Sequence, residues 1–524
     1  MTKLVECVPN FSEGRDLKII DAITAEITKV SGATLLDVDP GDATNRTVVT
    51  LVGEPAPVLE AAFQAIKKAS ELIDMRKHTG AHSRHGACDV CPFVPVSGVT
   101  VEECVQMAHA LGKRVGEELG IPIYLYEAAA TRPERHSLAD VRAGEYEALE
   151  EKLKKPQWAP DYGPAEFNAT AGATNIGVRP FLIAYNINLN SRDAKIAKDI
   201  GLTIREKGRA KYDDKNKKVR DADGNLVREP GFPNCRATGW FIEEYGCAQV
   251  TMNLTDFTVT PIHTVFDRVE ELAHELGARV TGSEVVGLVP LQSLLDAGRH
   301  YLNKQGANTG VSEDELVWTA VRSLGFAEVA PFDPEDKIIE YRVAREARLA
   351  GMTVKGFVDE LASDSPAPGG GSVAALAGSM AAGLAAMVAA LTYGKRGYKQ
   401  HNAEMEQVAV KGQALKATLL AALDRDTEAF DAVMACFRLP RKTDKQKAAR
   451  DAAIMEANKG ATLVPLGVLE AIPRVLALVE EVVAHGNKNS LSDGGVGGQM
   501  ARAAAYGAYY NVAINLAGLT DEAW

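Results

Sequence analysis

The sequence predicts a multidomain protein: two α/β subdomains of split-βαβ, ferredoxin-like type, followed by an all-α helical bundle. Three observations predict it. Strand and helix periodicities alternate in the order β-α-β-β-α-β over residues 1–150 and again over 181–330. The strand pattern then stops, and Ala, Leu, Val, Met and Lys/Glu at helical spacing dominate residues 354–524. Two segments of boundary composition separate these stretches, one rich in Pro and Gly at 156–180 and one rich in charge at 331–353. The expected division is therefore 1–180, 181–330, a linker at 331–353, and 354–524.

In the first half, Leu4–Phe11 reads as a strand ending in the turn or helix-entry signal Pro9-Asn10-Phe11-Ser12-Glu13-Gly14. Leu17–Val30 has helical apolar spacing. Thr34–Val38 is a short strand ending at Asp39-Pro40-Gly41-Asp42, a loop dense in carboxylates. Asn45–Val52 alternates as a strand and Pro55–Ile73 as a helix. A polar loop and a strand at Asp89–Val96 follow, then a helix at Val101–Leu119 and a strand at Pro122–Glu127. The prolines and glycines of 156–180 leave little room for a regular element. From composition this segment reads as a linker in preference to a ligand-contacting loop.

In the second half, Phe181–Asn188 is a strand with Asn186 and Asn188 at its end. Asp193–Glu206 is helical. The charged insert Lys207–Glu229 carries the turn signal Asp221-Ala-Asp-Gly224-Asn and reads as a solvated hairpin or loop. Trp240–Tyr245 and Cys247–Thr255 are strands, Pro261–Leu276 is a helix, Val280–Leu288 contains a strand, and Leu291–Gly298 is a helix. Two such halves joined by an irregular segment imply a cleft.

The helical part opens on Ser365-Pro-Ala-Pro-Gly369-Gly370-Gly371-Ser372, just before an apolar run at Val373–Leu391. Free amides at a helix start suit an anion, and a tight hinge suits the same residues; no Gly-Lys-Ser/Thr follows, so it is not a P-loop. The run is long enough to span a bilayer, but its Ala/Gly content reads as a tightly packed core helix. Asp424-Arg-Asp426-Thr-Glu428 places acids inside an apolar helix. Most acidic runs are solvated faces, but Asp426 shares a side with Ala422 and Ala429–Phe430, so its carboxylate is placed inward, where burial raises a pKa. Asn487-Lys-Asn-Ser490-Leu-Ser492-Asp493-Gly494-Gly495 is a polar turn that caps a helix, binds a ligand, or does both.

Composition narrows the function. The chain is 46% hydrophobic and 24% charged, as in a soluble globular protein. A net charge of −12 argues against general nucleic-acid binding. Met-Thr-Lys-Leu-Val-Glu-Cys has no apolar signal core, and seven cysteines in so large a chain read as reduced thiols, so a cytoplasmic location is expected.

The densest chemistry lies at His78–Phe93, where His78, His82 and His85 fall within eight residues beside Arg84 and Asp89. Gly80 breaks the helix that would aim His78 and His82 at one metal. Cys88-Asp-Val-Cys91 is a single C-x-x-C closed by Pro92, short of a zinc set. A structural role for individual histidines and a general acid/base role for one of them remain; spacing does not select which.

Val5-Glu-Cys-Val-Pro-Asn-Phe-Ser-Glu-Gly14, the histidine loop with Asp89-Val-Cys-Pro-Phe93, and Ala367-Pro-Gly-Gly-Gly-Ser-Val-Ala374 occur in that order. Together they resemble the formimidoyltransferase-cyclodeaminase family, over essentially the whole chain. The resemblance implies transfer of a formimidoyl group from N-formimidoyl-L-glutamate to N5 of tetrahydrofolate, then cyclisation to 5,10-methenyltetrahydrofolate with release of ammonia. It places the transferase histidine on His82, a supporting acid on Asp39, and the cyclodeaminase acid on Asp426. It places folate contacts on Gly163, Pro164, Ala165, Glu166, Phe167, Asn168, Ala169, Thr170, Ala171 and Gly172, which reverses the linker reading. No metal is implied. A polyglutamylated folate is, and Arg84, Lys395 and Arg396 would suit its polyanionic tail. The resemblance also implies a homo-oligomer, such as a ring of eight subunits, with no membrane or nucleic-acid partner. Alternatives for the helical part are a methenyltetrahydrofolate cyclohydrolase and an inactive domain.

Overall fold

The computed structural model describes residues 3–41, 45–80, 84–213, 217–221, 223–243, 245–329, 331–343, 349–519, 521 and 524. The chain forms two compact units: Met1–Ser293 with Leu324–Val343, and Leu294–Ser323 with Ala344–Trp524. The α/β elements fall in the first unit and the helical region in the second.

The first half of unit one runs β1 (Leu4–Cys7), β2 (Asn10–Phe11), α1 (Leu17–Thr28), β3 (Ala33–Gly41), β4 (Arg46–Gly53), α2 (Pro55–Leu72), β5 (Cys88–Ser97), α3 (Val101–Leu119), β6 (Ile123–Glu127), the short helices α4 (Leu138–Val141) and α5 (Leu149–Leu153), and β7 (Thr174–Val178). In the sheet β3 pairs with β4, β4 with β1 and β2, both of these with β5, β5 with β7, and β7 with β6. Alternation decides the two faces. Val5, Cys7, Phe11, Val49, Leu51, Cys91, Phe93, Leu125 and Ile176 share one apolar core with Ile23, Phe63, Ile66, Leu111 and Val115 of the covering helices. Glu6 and Asn10 of β1 and β2 therefore turn to the opposite face. The register places Asn175, across from Val90, on that face as well.

Three sequence expectations are corrected in this half. The strand expected over Leu4–Phe11 is two pieces, because the chain at Val8-Pro9 bonds to Pro92 O and, through its own Pro9 carbonyl, to Val49 N. Asp39 does not lie in a loop: β3 extends to Gly41, Asp39 is paired with Val48, and its side chain is exposed. The segment 156–180 does contain a regular element. Thr174–Val178 is a buried strand inserted between β5 and β6 and parallel to both. Its Ile176 and Val178 supply the apolar alternation, which five residues after a glycine-rich run are too few to advertise.

The second half runs β8 (Ile183–Leu189), α6 (Ala194–Ile204), a two-residue pairing of β9 (Arg209–Ala210) with β10 (Arg228–Glu229), β11 (Cys235–Ile242), β12 (Cys247–Leu254), α7 (Ile262–Glu275) and β13 (Val280–Val286). Its sheet order is β11-β12-β8-β13, antiparallel throughout. The first strand of this sheet after the insert, the edge strand β11, starts earlier than Trp240, at Cys235, and ends at Ile242. Helix α6 lies directly on β11. A Cβ at Gly201 would meet the backbone of Thr238, and one at Gly239 would meet Ala197 and Lys198. Tyr185, Ile187, Val250 and Met252 are buried on alternate positions, leaving Asn186, Asn188 and Gln249 on the other face.

Residues 294–323, expected with the second α/β half, group with the helical unit. There the helix beginning at Leu291 runs on to Lys304 (α8), and Glu313–Leu324 forms α9. Between them Thr309 Oγ1 donates to Glu406 at 2.8 Å and Gly310 packs on Ala409 and Val410. Two short helices, α10 (Pro334–Lys337) and α11 (Ile339–Val343), precede the C-terminal run of α12 (Val354–Leu361), α13 (Gly370–Thr392), α14 (Asn402–Phe437), α15 (Asp444–His485) and α16 (Leu491–Leu516). Helix α13 is the central element. Its Ala374, Ala375, Gly378, Ala381, Ala382, Ala385 and Ala389 are buried, and Gly378 touches Leu419 of α14, Ile472 of α15 and Ala504 of α16. Small side chains on α13, met by Gly412 and Gly507 on its neighbours, let the backbones come close. Helices α13 and α15 are long and apolar enough to cross a membrane by composition, and 61% of the α13 window is buried among the other helices.

Ile176 has no exposed surface and sits in the middle of the first sheet. Ile176→Ala is expected to destabilise unit one by about 2–4 kcal/mol, read as a lower urea midpoint.

Candidate functional site

Two clusters combine burial, charge and titratable side chains, one in each unit. The first surrounds the histidine loop. Asn45 holds that loop at its start. It adopts a left-handed backbone (φ 49°), and its side chain accepts from Gly14 N at 3.0 Å and donates to Thr79 O at 3.0 Å. His78 Nε2 meets Asn45 O at 2.8 Å, and Arg84 Nε donates to His78 Nδ1 at 3.2 Å. Both ring nitrogens of His78 are therefore engaged, with Nε2 carrying the proton. Burial lowers its pKa, the Arg84 charge adds to that, and the Asn45 bond opposes it.

His85 closes the loop and is fully buried. Its ring stacks on Tyr124 at 5.7 Å and its Nδ1 meets Asn175 Oδ1 at 3.2 Å. Desolvation lowers its pKa to about 4, so it is neutral near pH 7. Its backbone N–H donates to Asp89 at 2.9 Å. Asp89, also fully buried, takes Arg46 at 2.5 Å and Arg142 at 2.8 Å, and Arg46 reaches on to Asn10. One carboxylate thus sits between two guanidiniums at the foot of the loop, and every donor it accepts comes from a different segment. Removing such a carboxylate would leave two buried cations without their anion.

His82 lies outside the described residues; its loop is fixed on both sides, by Asn45 at Thr79 and by Asp89 at His85. Asp39 is on an exposed strand face, one strand beyond Val48, which pairs with Asn10. Arg84, expected to be available to a polyanion, is already paired with Glu145 at 3.1 Å and Glu147 at 2.6 Å. Cys88 and Cys91 are in the apolar core, and burial pushes the Cys88 thiol well up.

The segment Gly163–Gly172 reaches the histidine loop. Ala87 N donates to Ala171 O at 2.8 Å, Ala173 N to His85 O at 3.0 Å, and Met75 N to Thr170 O at 3.0 Å. Asn168 organises the turn: its side chain accepts from Ala171 N at 3.0 Å and Thr170 Oγ1 at 3.1 Å, while its carbonyl accepts from Gly172 N. Gly172 takes a left-handed φ of 67° with Gly86 against it, a contact no side chain would allow. Phe167 packs on Tyr146 at 5.4 Å, whereas 163–166 are exposed.

Sequence reasoning missed a polar network on the second sheet. Gln249, fully buried, donates to Asn188 at 2.8 Å and Glu284 at 3.0 Å and accepts from Trp240 Nε1 at 2.9 Å. Glu284 also takes Asn186 at 2.9 Å and the Tyr245 hydroxyl at 3.0 Å. The period-2 polar positions Asn186 and Asn188, followed by Gln249 in a second strand, were the available signal.

The second cluster is at the start of α13. Asp426 of α14 accepts from Ser372 Oγ at 2.9 Å and from the Ser372 backbone. A Cβ at Gly371 would collide with both carboxylate oxygens, so only glycine leaves room for this anion. The helix starts before the apolar run at Val373, within the glycine run itself. The N-cap is Gly369, and Ser372 is in the first turn. The anion-binding capacity read from the glycine run is taken up by the protein's own carboxylate. Burial raises the Asp426 pKa, and the Ser372 bonds offset part of the rise. Next to it Asp424 accepts from Leu349 N at 2.6 Å, tying the α14 strip to the segment before α12. A hollow of about 290 Å³ lies between α14 and α15 one turn before Asp426, lined by Ala422, Arg425, Leu463 and Gly467 among others.

At the far end of the bundle His401, Glu404 and His485 bring ligand atoms within 4.8 Å of one another. The two rings are stacked at 4.9 Å and 13°, and their Nδ1 atoms are bonded to Glu404 and Glu481. Parallel rings point their lone pairs side by side and do not converge on one ion.

Residues 4–179 match the family described as "Formiminotransferase domain, N-terminal subdomain", 184–344 match "Formiminotransferase domain", and 353–524 match "Formiminotransferase-cyclodeaminase". A mouse formimidoyltransferase-cyclodeaminase is 45% identical over 100% of this chain and 94% of its own length. The chain belongs to the formimidoyltransferase-cyclodeaminase family. Each part of this family chain also has separate relatives. A glutamate formimidoyltransferase of Streptococcus pyogenes is 43% identical over 58% of the chain and 94% of itself. A methenyltetrahydrofolate cyclohydrolase of Methylorubrum extorquens is 45% identical over 33% of the chain and 83% of itself.

Two predictions follow from the Asp426 notch. Gly371→Ala should destabilise the helical unit by about 1–3 kcal/mol, read from its denaturation midpoint. The folded pKa of Asp426 is above the ordinary aspartate value of 3.8. Its protonated form therefore stabilises the bundle fully below that value, and the contribution is lost as pH rises through the folded pKa. Asp426→Asn, which stays neutral, should raise the thermal midpoint relative to wild type at pH 8, with the advantage shrinking towards pH 4.

Proposed function

We propose that this chain works as a bifunctional folate enzyme with one proton-transferring group in each unit. In the first reaction N5 of tetrahydrofolate attacks the amidine carbon of N-formimidoyl-L-glutamate. The N5–C bond forms, the bond from carbon to the glutamate nitrogen breaks, and a proton moves from N5 to that nitrogen. A single imidazole can take and return this proton. His82 is assigned the task. The observation that carries the assignment is the state of its two neighbours: His78 has both nitrogens bonded, and His85 is buried and held neutral. Neither is placed to cycle a proton.

The joining of Gly163–Gly172 to that loop supports folate contact there in preference to a linker. Asp39, across Val48 from Asn10, is assigned a supporting role near the imidazole. In the second reaction N10 attacks the formimidoyl carbon, the carbon–nitrogen bond to the departing group breaks, and ammonia leaves after gaining a proton. Asp426, half-buried with a raised pKa, is assigned as the acid that supplies it. Finer expectations stand with this reading. Each α/β half is a split-βαβ unit, supported in the second by the order β11-β12-β8-β13. The folate is polyglutamylated, and the protein is a cytoplasmic homo-oligomer.

His82→Ala should lower formimidoyl transfer by a factor of about 10²–10⁴ and leave cyclisation intact, and Asp426→Asn should do the reverse. Separate assays of methenylfolate absorbance and free ammonia check both. Loss of both activities in either variant would count against two independent centres. Hydrolysis of methenyltetrahydrofolate without ammonia production from the formimidoyl compound would favour the cyclohydrolase reading of the helical unit.

A further inference from the structure

Glu6 is a buried carboxyl group with no hydrogen-bond donor or ion-pair partner among the described residues. It lies in β1 with Val52 of β4 on one side and Val94 of β5 on the other, turned to the face that also carries Asn10. It is 5% exposed. Other acids held in the sheets are supplied with donors: buried Asp89 by Arg46, Arg142 and His85 N, and half-buried Glu284 of the second sheet by Asn186, Gln249 and Tyr245. Among the described residues no donor reaches Glu6. Arg179 acts on it only at a distance, and burial pushes its pKa up to about 7. Other charges in the neighbourhood are Glu127, whose field is shared with Arg179, and Arg236 of β11. A carboxylate largely removed from water and given no partner is held at a cost. The fold bears that cost where a bound molecule brings the missing donors.

We propose that Glu6 is a substrate-binding residue whose carboxylate receives the N3–H and 2-amino donors on the pyrimidine edge of the tetrahydrofolate pterin. The proposal rests on the transferase reading above. A carboxylate has two acceptors side by side, and this edge offers two adjacent N–H groups, so the pair is bidentate. The other parts of the substrates fit less well. The benzoylglutamate end and the formimidoylglutamate side chain present carboxylates, which Glu6 repels. The formimidoyl group has donors, but its carbon must lie at the reacting imidazole. The loop bearing that imidazole is tied to the sheet at Asn10, Arg46 and Asp89. Glu6 is four residues along from Asn10, about 13 Å at the rise of a strand.

A contact remote from the reacting atoms acts mainly through substrate binding. Glu6→Gln keeps the shape and one acceptor but opposes the second N–H. It is expected to raise KM for tetrahydrofolate by about tenfold or more, with KM for formimidoylglutamate moving less than about twofold. A denaturation midpoint of the α/β unit close to that of wild type, together with the nearly unchanged KM for formimidoylglutamate, reports that the variant is folded. The complementary arm needs no variant: a tetrahydrofolate carrying methyl in place of the 2-amino group should show a similar rise in KM with wild-type enzyme, and little further rise with Glu6→Gln. An unchanged KM for tetrahydrofolate in Glu6→Gln, an effect confined to kcat, or an equal penalty for the analogue in both proteins overturns the assignment while the transferase reading stands. Wild-type protein without formimidoyl transfer overturns both.

Discussion

Close packing of α13 against its neighbours brings one electrostatic contact into being, the Asp426 carboxylate against the first turn of α13. Three requirements meet there. The helix must begin where it does, so that the Ser372 amide is free; residue 371 must have no side chain; and α14 must run close enough for Asp426 to reach. The small-residue packing of α13 against α14 satisfies the last of these. The same packing takes water away from the carboxylate and raises its pKa, while the Ser372 donors stop that rise from becoming complete. Burial and hydrogen bonding oppose each other at a single side chain, which leaves it able to exchange a proton.

The α/β unit handles charge differently. Asp89 is saturated: two guanidiniums and a backbone amide close around it, and the histidine loop, the first sheet and the α4 region are joined through it. Such a carboxylate fixes geometry. Around it the buried acids and amides lie on the faces of the two sheets away from their covering helices. Where the network is complete, as at Gln249 and Glu284, it makes a rigid wall. Where it is incomplete, as at Glu6, it has unused capacity for a partner.

Much of this was legible in the sequence. Long periodic stretches such as α2, α3, α7 and the C-terminal helices announce themselves through apolar spacing, and Asp426 could be placed inward from Ala422 and Ala429–Phe430. The misreadings have local physical causes. Strand β7 is five residues long and follows a run of glycine and alanine, so its period is too short to register. Asp39 was put in a loop because Pro40 and Gly41 resemble a turn, yet an edge strand tolerates both. The glycine run at the start of α13 suited an anion and a tight hinge alike, and a linear sequence does not say that a carboxylate from residue 426 lies against it. The histidines could not be sorted by spacing because what distinguishes His78 and His85 is their neighbours, Asn45, Arg84, Asn175 and Tyr124, which come from distant segments. Helices α8 and α9 were grouped with the preceding strands because adjacency in sequence was the only guide.

The insertion of β7 between β5 and β6 has a consequence for synthesis on the ribosome. Strands β5 and β6 touch only through a segment made some fifty residues after the latter. Until Thr174–Val178 emerges, the nascent sheet keeps an open slot with two unsatisfied strand edges facing it, the situation in which chains mispair or recruit chaperones. The segment that completes the sheet is continuous with Gly163–Gly172, so closing the slot and seating that loop against the histidines are one event in the life of the chain.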